Sequence, residues 1–115
     1  MTTLSKDIPQ LDILIHRGAD EEFACRWTID KRDGKGFVAK DISKWSATFT
    51  LNSQNETVYT LKCTTDKYGY AVANIPGSAF EADKWTNYLL GSWRIDAKGP
   101  NGERELLGWG HYEMV

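Results

Sequence analysis

The chain of 115 residues carries 14 basic and 16 acidic side chains, for a formal net charge of −2, and 41% of its residues are hydrophobic. This length suits one domain with a single core, and the balanced charge argues against a nucleic-acid-binding surface, which needs clustered lysine and arginine. No apolar run is long enough to span a membrane. The N-terminus lacks the apolar segment of a signal peptide, so we expect synthesis in the cytoplasm and no membrane partner.

Residues 1–10 are polar and predict an N-terminal arm, followed by a single domain over residues 11–115. Within this domain, large apolar side chains alternate with polar or small ones in seven short segments, which is the period of strands with one buried face. The predicted strands are residues 11–16, 22–30, 45–51, 57–63, 70–75, 89–98 and 104–114. Glycine, asparagine and aspartate between these segments predict turns.

The last predicted strand contains two glycines, Gly108 and Gly110, on either side of Trp109. Glycine inside a strand is typical of a bulge or of a close backbone approach. The strand over residues 70–75 is ambiguous, because either set of its alternating side chains can face the core. Alternation alone therefore predicts where strands lie better than how they pack.

One segment, residues 76–83, predicts a short helical turn, with Ser78 as the cap and Glu81 three residues later. Seven short strands with a single helical turn predict an all-β fold, an antiparallel seven-stranded β-sandwich. A small barrel is the alternative, because strand periodicity does not distinguish the two architectures.

The titratable residues form no grouping that demands catalysis. His16 and His111 lie in the first and last predicted strands, so a two-histidine site is one hypothesis and a separate hydrogen bond for each is the simpler one. The acidic run over residues 20–22 predicts a solvated turn rather than a calcium loop, which needs spaced ligands. The sequence therefore predicts no catalytic, cofactor or metal site, and no enzyme.

Cys25 and Cys63 both fall on apolar faces of predicted strands. Buried, reduced thiols are the expected state in the cytoplasm, and a bridge between two sheets is the alternative. Two cysteines and two distant histidines do not supply the four convergent ligands of a structural zinc site.

Aromatic residues are abundant, with five tryptophans, five tyrosines and four phenylalanines. Trp27, Trp45 and Trp93 share strand faces with aliphatic residues and are predicted to lie in the core. Four residues in a loop and on the other side of the last strand are candidates for an exposed interface: Trp85, Tyr88, Trp109 and His111. Such rings stack on sugars in carbohydrate-binding proteins and fill pockets in subunit interfaces, or they cover the ends of the fold.

A series of turn and strand residues follows a fixed order along residues 11–115. The series is Arg17-Gly18, Asp33-Gly34, Asp41-Ile42-Ser43 with Trp45, Gly69, Ile75-Pro76, Gly91 with Trp93, and Leu106-Leu107 with Gly110. This order resembles the immunoglobulin-like β-sandwich domains of tailed-phage tail and baseplate proteins, notably the N-terminal domain of the upper baseplate protein family. The resemblance implies an immunoglobulin-like sandwich that docks to other virion subunits.

We therefore expect a non-enzymatic structural component of a phage or prophage virion, in a tail, baseplate or head-tail assembly. It would be made in the bacterial host cytoplasm and would associate with other subunits, including copies of itself, through strand edges and exposed aromatic residues. Two other hypotheses stay open. One is a carbohydrate-binding, lectin-like β-sandwich module, and the other is a small inhibitor or immunity-type protein that binds one enzyme.

Overall fold

The fold consists mainly of β-strands. The computed structural model describes residues 10–30, 34 and 36–115, and the strands in this part of the chain are Ile13–Ile15 (β1), Glu21–Arg26 (β2), Thr28–Asp30 (β3), Phe37–Ala39 (β4), Ser46–Ser53 (β5), Glu56–Thr65 (β6), Tyr70–Ile75 (β7), Leu90–Lys98 (β8) and Arg104–Met114 (β9). The all-β prediction is confirmed. The polar arm predicted for residues 1–10 lies outside the described residues, apart from Gln10.

Seven of these strands form one mixed sheet in the order β1-β9-β8-β5-β6-β7-β2. Each of the seven predicted segments supplies one of its strands. The prediction of a purely antiparallel sheet is wrong at one edge, because β1 pairs with β9 in parallel, with Ile13 opposite Tyr112 and Ile15 opposite Met114. Most of the chain separates these two strands, so no hairpin imposes an antiparallel pairing on them.

The sheet folds back on itself at β6, where this strand changes its pairing partner. Residues 56–63 of β6 pair with β5, whereas Thr64 and Thr65 pair with β7. This change of partner brings β2 against β9, so the sheet is nearly closed. Its two edges are β1 and β2, which follow one another in the sequence.

The core lies inside the folded sheet and follows the predicted alternation. The buried hydrophobic side chains of β5, β7 and β8 are Ala47, Phe49, Leu51, Ala71, Ala73, Ile75, Trp93, Ile95 and Ala97. This list resolves the ambiguity of β7, whose alanines and isoleucine face inward. Trp93 is buried as predicted, whereas Trp27 and Trp45 are only partly buried and pack at the margin of the core.

The predicted strand over residues 22–30 is split at Trp27. The Trp27 N–H donates to the carbonyl of Gly69 at 2.8 Å, and the Trp27 carbonyl accepts the N–H of Lys40 at 3.0 Å. Beyond this point the chain forms a separate two-stranded ribbon, β3 with β4. The alternation continues unbroken from Phe23 to Ile29, so periodicity gave no sign of the change of partner.

The glycines of β9 mark the predicted bulge and the predicted close approach. The register between β8 and β9 shifts beside Gly108, and a Cβ there would overlap the sulfur of Cys25 on β2. A Cβ on Gly110 would overlap the carbonyl oxygen of Leu11. The same carbonyl accepts the indole N–H of Trp93 at 2.6 Å. Both expectations for this strand are confirmed.

Two 3₁₀ turns, Gly77–Phe80 and Asp83–Asn87, replace the single helical turn predicted after β7. The predicted cap by Ser78 is wrong, because polar groups of the β1–β2 corner bind the first turn instead. The Asp20 carboxylate accepts the Gly77 N–H at 2.6 Å, and Arg17 Nε donates to the Phe80 carbonyl at 2.9 Å. No described helix is long and apolar enough to cross a membrane.

The corner between β1 and β2 also contains a histidine–carboxylate contact. The His16 N–H donates to Glu21 Oε1 at 3.0 Å, and His16 Nδ1 lies 2.8 Å from the same oxygen. These hydrogen bonds, the backbone one first, hold the pKa of the Glu21 carboxyl below its ordinary value of 4.5, since they favour the charged form. Two of the three acids in the predicted solvated turn, Asp20 and Glu21, therefore have structural roles.

Replacing Gly110 with alanine should destabilise the protein. The added methyl group would overlap the Leu11 backbone, so β1 must move away from β9, and we expect the free energy of unfolding to fall by about 2–3 kcal/mol. The matched control is Gly99→Ala, whose Cβ would meet only the flexible carboxylate end of Glu103 and should cost less than about 1 kcal/mol. Urea denaturation measures both losses, and equal losses would contradict a close approach at Gly110.

The stability that Glu21 contributes should depend on pH. Because its pKa is lowered in the folded state, the charged carboxylate stabilises the protein above about pH 4.5, and this contribution is lost as the pH falls through the folded-state pKa. Glu21→Gln should lower the free energy of unfolding by about 0.5 kcal/mol at pH 7 and by less at pH 3. Glu22→Gln, an exposed neighbour on the same strand, is the control. Urea unfolding at both pH values tests this, and a pH-independent loss for Glu21→Gln would argue against it.

Candidate functional site

One broad side of the sheet points outward and contains two of the four candidate residues. We call the outward side of β1, β9, β8 and β5 the outer face. Strand register arranges its side chains in rows across neighbouring strands. The rows are Leu14 with Glu113 and Leu90, His111 with Ser92 and Asn52, and Trp109 with Arg94 and Thr50.

Trp109 and His111 lie in adjacent rows of the outer face, as the alternation of β9 predicts. Trp109 is 38% exposed, and its ring centroid lies 6.4 Å from that of His111 in an edge-on arrangement. The His111 N–H donates to Asp12 Oδ1 at 3.0 Å, and His111 Nδ1 lies 3.4 Å from the same oxygen. The predicted exposure of both rings is confirmed, and Asp12 binds the backbone of the histidine.

Arg94 and Asp96 form a planar ion pair beside Trp109. The Nε and Nη2 atoms of Arg94 donate to the two carboxylate oxygens of Asp96 at 2.7 and 2.6 Å. These bonds raise the pKa of the Arg94 guanidinium above its ordinary value. A guanidinium has five N–H donors, so three remain after Asp96 is bound, and both side chains are nearly half exposed.

Three shallow depressions follow the outer face. The middle one, of about 210 Å³, is lined by Asn52, Ser92, Trp93, Arg94, Leu106 and Trp109. It shares Arg94 and Leu106 with a depression of about 420 Å³, and it shares Asn52 and Ser92 with one of about 490 Å³ on its other side. The three depressions follow one another along β8, with Trp109 lining the middle one, and we call them together the outer groove.

Trp85 and Tyr88 do not belong to the outer face. Trp85 is only 4% exposed and packs edge-on against the rings of Tyr59 and Phe80, so its predicted exposure is wrong. Tyr88 is half-buried, packs edge-on against Trp85 and has its hydroxyl 3.3 Å from a carboxylate oxygen of Glu56. The loop has no strand alternation, so its sequence does not indicate which rings face the core.

The two histidines do not form a common site. The parallel register places His16 beside Val115, whereas His111 lies four residues earlier on β9, about 13 Å away. Each has its own carboxylate partner, Glu21 for His16 and Asp12 for His111. The simpler hypothesis of a separate hydrogen bond is confirmed for the His16 ring, whereas the His111 ring approaches Asp12 only to 3.4 Å. Among the described residues, no group of three or more histidine, cysteine or acidic side chains could hold a metal ion.

Cys25 and Cys63 are buried free thiols, as expected. Burial raises the pKa of each thiol to about 11, and for Cys63 the neighbouring Cys25 adds to the rise. Both therefore stay protonated at neutral pH and are poor nucleophiles. They contribute packing rather than chemistry.

A second exposed surface lies at the β3–β4 ribbon. Phe37 is 63% exposed and Val38 is also exposed, while Tyr68 and Tyr70 are exposed beside Gly69, the residue that binds the base of the ribbon. We call Phe37, Val38, Tyr68 and Tyr70 the ribbon surface. Sequence analysis missed it, because residues 37–39 are too few to show a strand period.

Sequence analysis also missed the polar side chains around Trp109. The alternation of β8 did contain this information, because a strand with Trp93 and Ile95 inward must present Arg94 and Asp96 outward. Asn52 was assigned to a turn, whereas β5 continues to Ser53.

No protein-family model matches this chain, and no curated protein matches it.

Alanine substitutions should separate the buried tryptophan from the exposed one. Trp85→Ala should lower the free energy of unfolding by about 3–5 kcal/mol, because it leaves a cavity among aromatic rings. Trp109→Ala should cost less than about 1.5 kcal/mol, because the indole is partly solvated. Thermal and urea unfolding of both variants tests this, and a larger loss for Trp109→Ala would contradict the burial of the two rings.

Proposed function

We propose that this protein is a non-enzymatic structural component of a phage or prophage virion, in a tail, baseplate or head-tail assembly. It associates with other virion subunits, including further copies of the same chain, after synthesis in the host cytoplasm. The ordered turn and strand residues that resemble upper baseplate protein domains support the phage assignment. The single observation that most directly supports association with other subunits is the exposed ribbon surface.

The ribbon supports association because a two-stranded ribbon by itself is only marginally stable in water. Its strands, β3 and β4, pair over three residues each and, within the described residues, join no other strand. Phe37 exposes most of its ring there, so folding alone gives it little apolar burial. A partner that covered Phe37 and Val38 would bury their apolar surface and stabilise the ribbon.

The base of the ribbon is held firmly enough to present it to a partner. The rings of Trp27 and Trp45 meet edge-on with centroids 5.2 Å apart. The ammonium group of Lys40 lies 5.8 and 5.9 Å from the two ring centroids, within the range of a cation–π contact. A ribbon anchored at its base and exposed beyond it can reach a neighbouring subunit.

The open edges of the sheet support association as well. Strands β1 and β2 end the sheet, so each has one side that is not hydrogen-bonded to another described strand, although β2 also packs against β9. Exposed edges are either protected or used for pairing with another chain. Leu14, in the middle of β1, points outward and is exposed, which adds apolar area beside that edge.

We infer that the nearly closed sheet is a variant of the immunoglobulin-like sandwich. The change of partner along β6 supports this, because it divides the sheet into a larger part containing β9, β8 and β5 and a smaller part containing β7 and β2. The two parts enclose the core between them, as two sandwich layers do. The parallel β1–β9 pair would be the departure from a purely antiparallel arrangement.

A non-enzymatic role is supported by the state of the reactive side chains. Both thiols are buried with a raised pKa, and each histidine is bound by a separate carboxylate. A nucleophile paired with a base is what most covalent catalysis requires, and these residues are arranged for structure instead.

The association is tested by light scattering coupled to size-exclusion chromatography over a range of concentrations. We expect the wild-type protein to form a closed oligomer, such as a trimer or a hexamer, or a complex with virion proteins encoded by neighbouring genes. Phe37→Ser should weaken that association by at least about tenfold. Leu90→Ser is the matched control, since it removes an equally exposed apolar residue from the outer face.

A wild-type protein that stays monomeric at every concentration, and that binds none of those virion proteins, would overturn the proposal. So would association that Leu90→Ser weakens and Phe37→Ser leaves unchanged, because the ribbon surface would then have no part in it.

A further inference from the structure

We propose that the outer groove binds an uncharged oligosaccharide, with Trp109 as the platform on which one sugar ring stacks. This goes beyond the proposed association, which uses the ribbon surface and the strand edges. The proposal rests on the exposure of one indole, on the planar polar groups around it, and on the length and charge of the groove.

Trp109 is the most exposed of the five tryptophans, all of which lie in the described part of the chain. Its backbone is fixed on both sides, since its carbonyl accepts the Leu11 N–H at 2.9 Å and it pairs with Arg94 of β8. The apolar C–H face of a pyranose ring packs on such an indole through dispersion and burial from water. The backbone that carries the ring is therefore already ordered before a ligand binds.

Planar polar side chains surround this platform. Arg94 keeps three N–H donors after its two bonds to Asp96, and these two bonds hold the pair in a bidentate arrangement. Asn52 accepts the Thr57 hydroxyl at 2.9 Å through its oxygen, so its amide N–H groups are left for a ligand. Adjacent hydroxyls of a sugar can bind such forked donors and acceptors two at a time.

The groove is long and open rather than deep and closed. Its lining residues extend along β8 from Leu90 to Lys98, about 26 Å of strand, and each depression shares two lining residues with the next. This length fits an extended chain of several sugar rings better than a single small molecule, which buries most of its surface in a closed pocket.

The charges of the groove favour a neutral ligand. At its middle, the one cation, Arg94, is neutralised by Asp96. Toward one end, Lys98 and Arg104 stand beside Glu105, so acids and bases remain interspersed. A polyanion such as a nucleic acid needs clustered cations that are free to bind phosphates. The core of a protein interface is depleted in aspartate and glutamate, whereas Asp96 lies in the groove beside Arg94.

The test is binding of the full chain to immobilised neutral hexasaccharides of glucose, galactose, mannose and N-acetylglucosamine, followed by calorimetry with any that bind. We expect at least one of them to bind with a dissociation constant below a few millimolar. Trp109→Ala should weaken this binding by at least about tenfold, and Trp109→Tyr should restore most of it, because a tyrosine ring also offers an aromatic face. Arg94→Lys keeps the charge but loses the planar fork, and should weaken binding as well.

Phe37→Ser is the matched control, because it alters the ribbon surface and should leave the calorimetric affinity for the sugar unchanged. Circular dichroism and urea unfolding show that each variant is folded. This control also keeps the two proposals apart, since association depends on Phe37 and sugar binding on Trp109.

Three results would overturn the glycan site. The first is no binding of any neutral hexasaccharide at millimolar concentration, and the second is equal affinity for the wild-type protein and Trp109→Ala. The third is a wild-type protein that binds none of the sugars, together with a Trp109→Ala variant that no longer associates with other subunits. That result would assign the outer groove to a protein partner.

Discussion

The whole arrangement depends on how closely two other parts of the chain approach β9. At Gly110 the backbone of Leu11 lies where a side chain would begin, and the indole N–H of Trp93 donates to the same Leu11 carbonyl. At Gly108 the sulfur of Cys25 fills the space beside the strand. The contact at Gly110 allows the chain leading into β1 to lie along the edge of β9. The contact at Gly108 allows β2 to pack against the inward side of β9.

These contacts also determine what the outer face displays. Inward positions of β9 that hold glycine leave room for β2 and for the segment before β1, whereas outward positions hold large side chains such as Trp109 and His111. The segment before β1 lies beside β9 at Trp109, where Gln10 forms a parallel bridge with it, so Trp109 has paired backbone on both sides. The indole is partly exposed to solvent, and the backbone that carries it is paired. An aromatic surface held at a fixed place on the sheet is what a stacking platform needs.

Sequence patterns predicted the strands well and their partners poorly. The bounds of β7 and β9 agree with residues 70–75 and 104–114, because period-2 alternation directly reports which side chains are buried. Alternation says nothing about the neighbouring strand, so the parallel pairing of β1 and the departure of β3 from the sheet were not predictable. The burial of Trp85 was missed for a related reason, because its aromatic neighbours come from two other segments, β6 and the first 3₁₀ turn.

The two exposed surfaces occupy different parts of the sheet, and this separation has a functional consequence. The ribbon joins the molecule through Trp27 and Gly69, next to β2 and β7, whereas the outer groove follows β8 between β9 and β5. A subunit contact made through Phe37 and Val38 would therefore leave the middle of the groove, at Trp109, open. An oligomer assembled in this way would present several identical grooves, and weak binding at each one would sum to high avidity for a polymeric glycan. Modest affinity at a single shallow groove is then no obstacle to firm attachment.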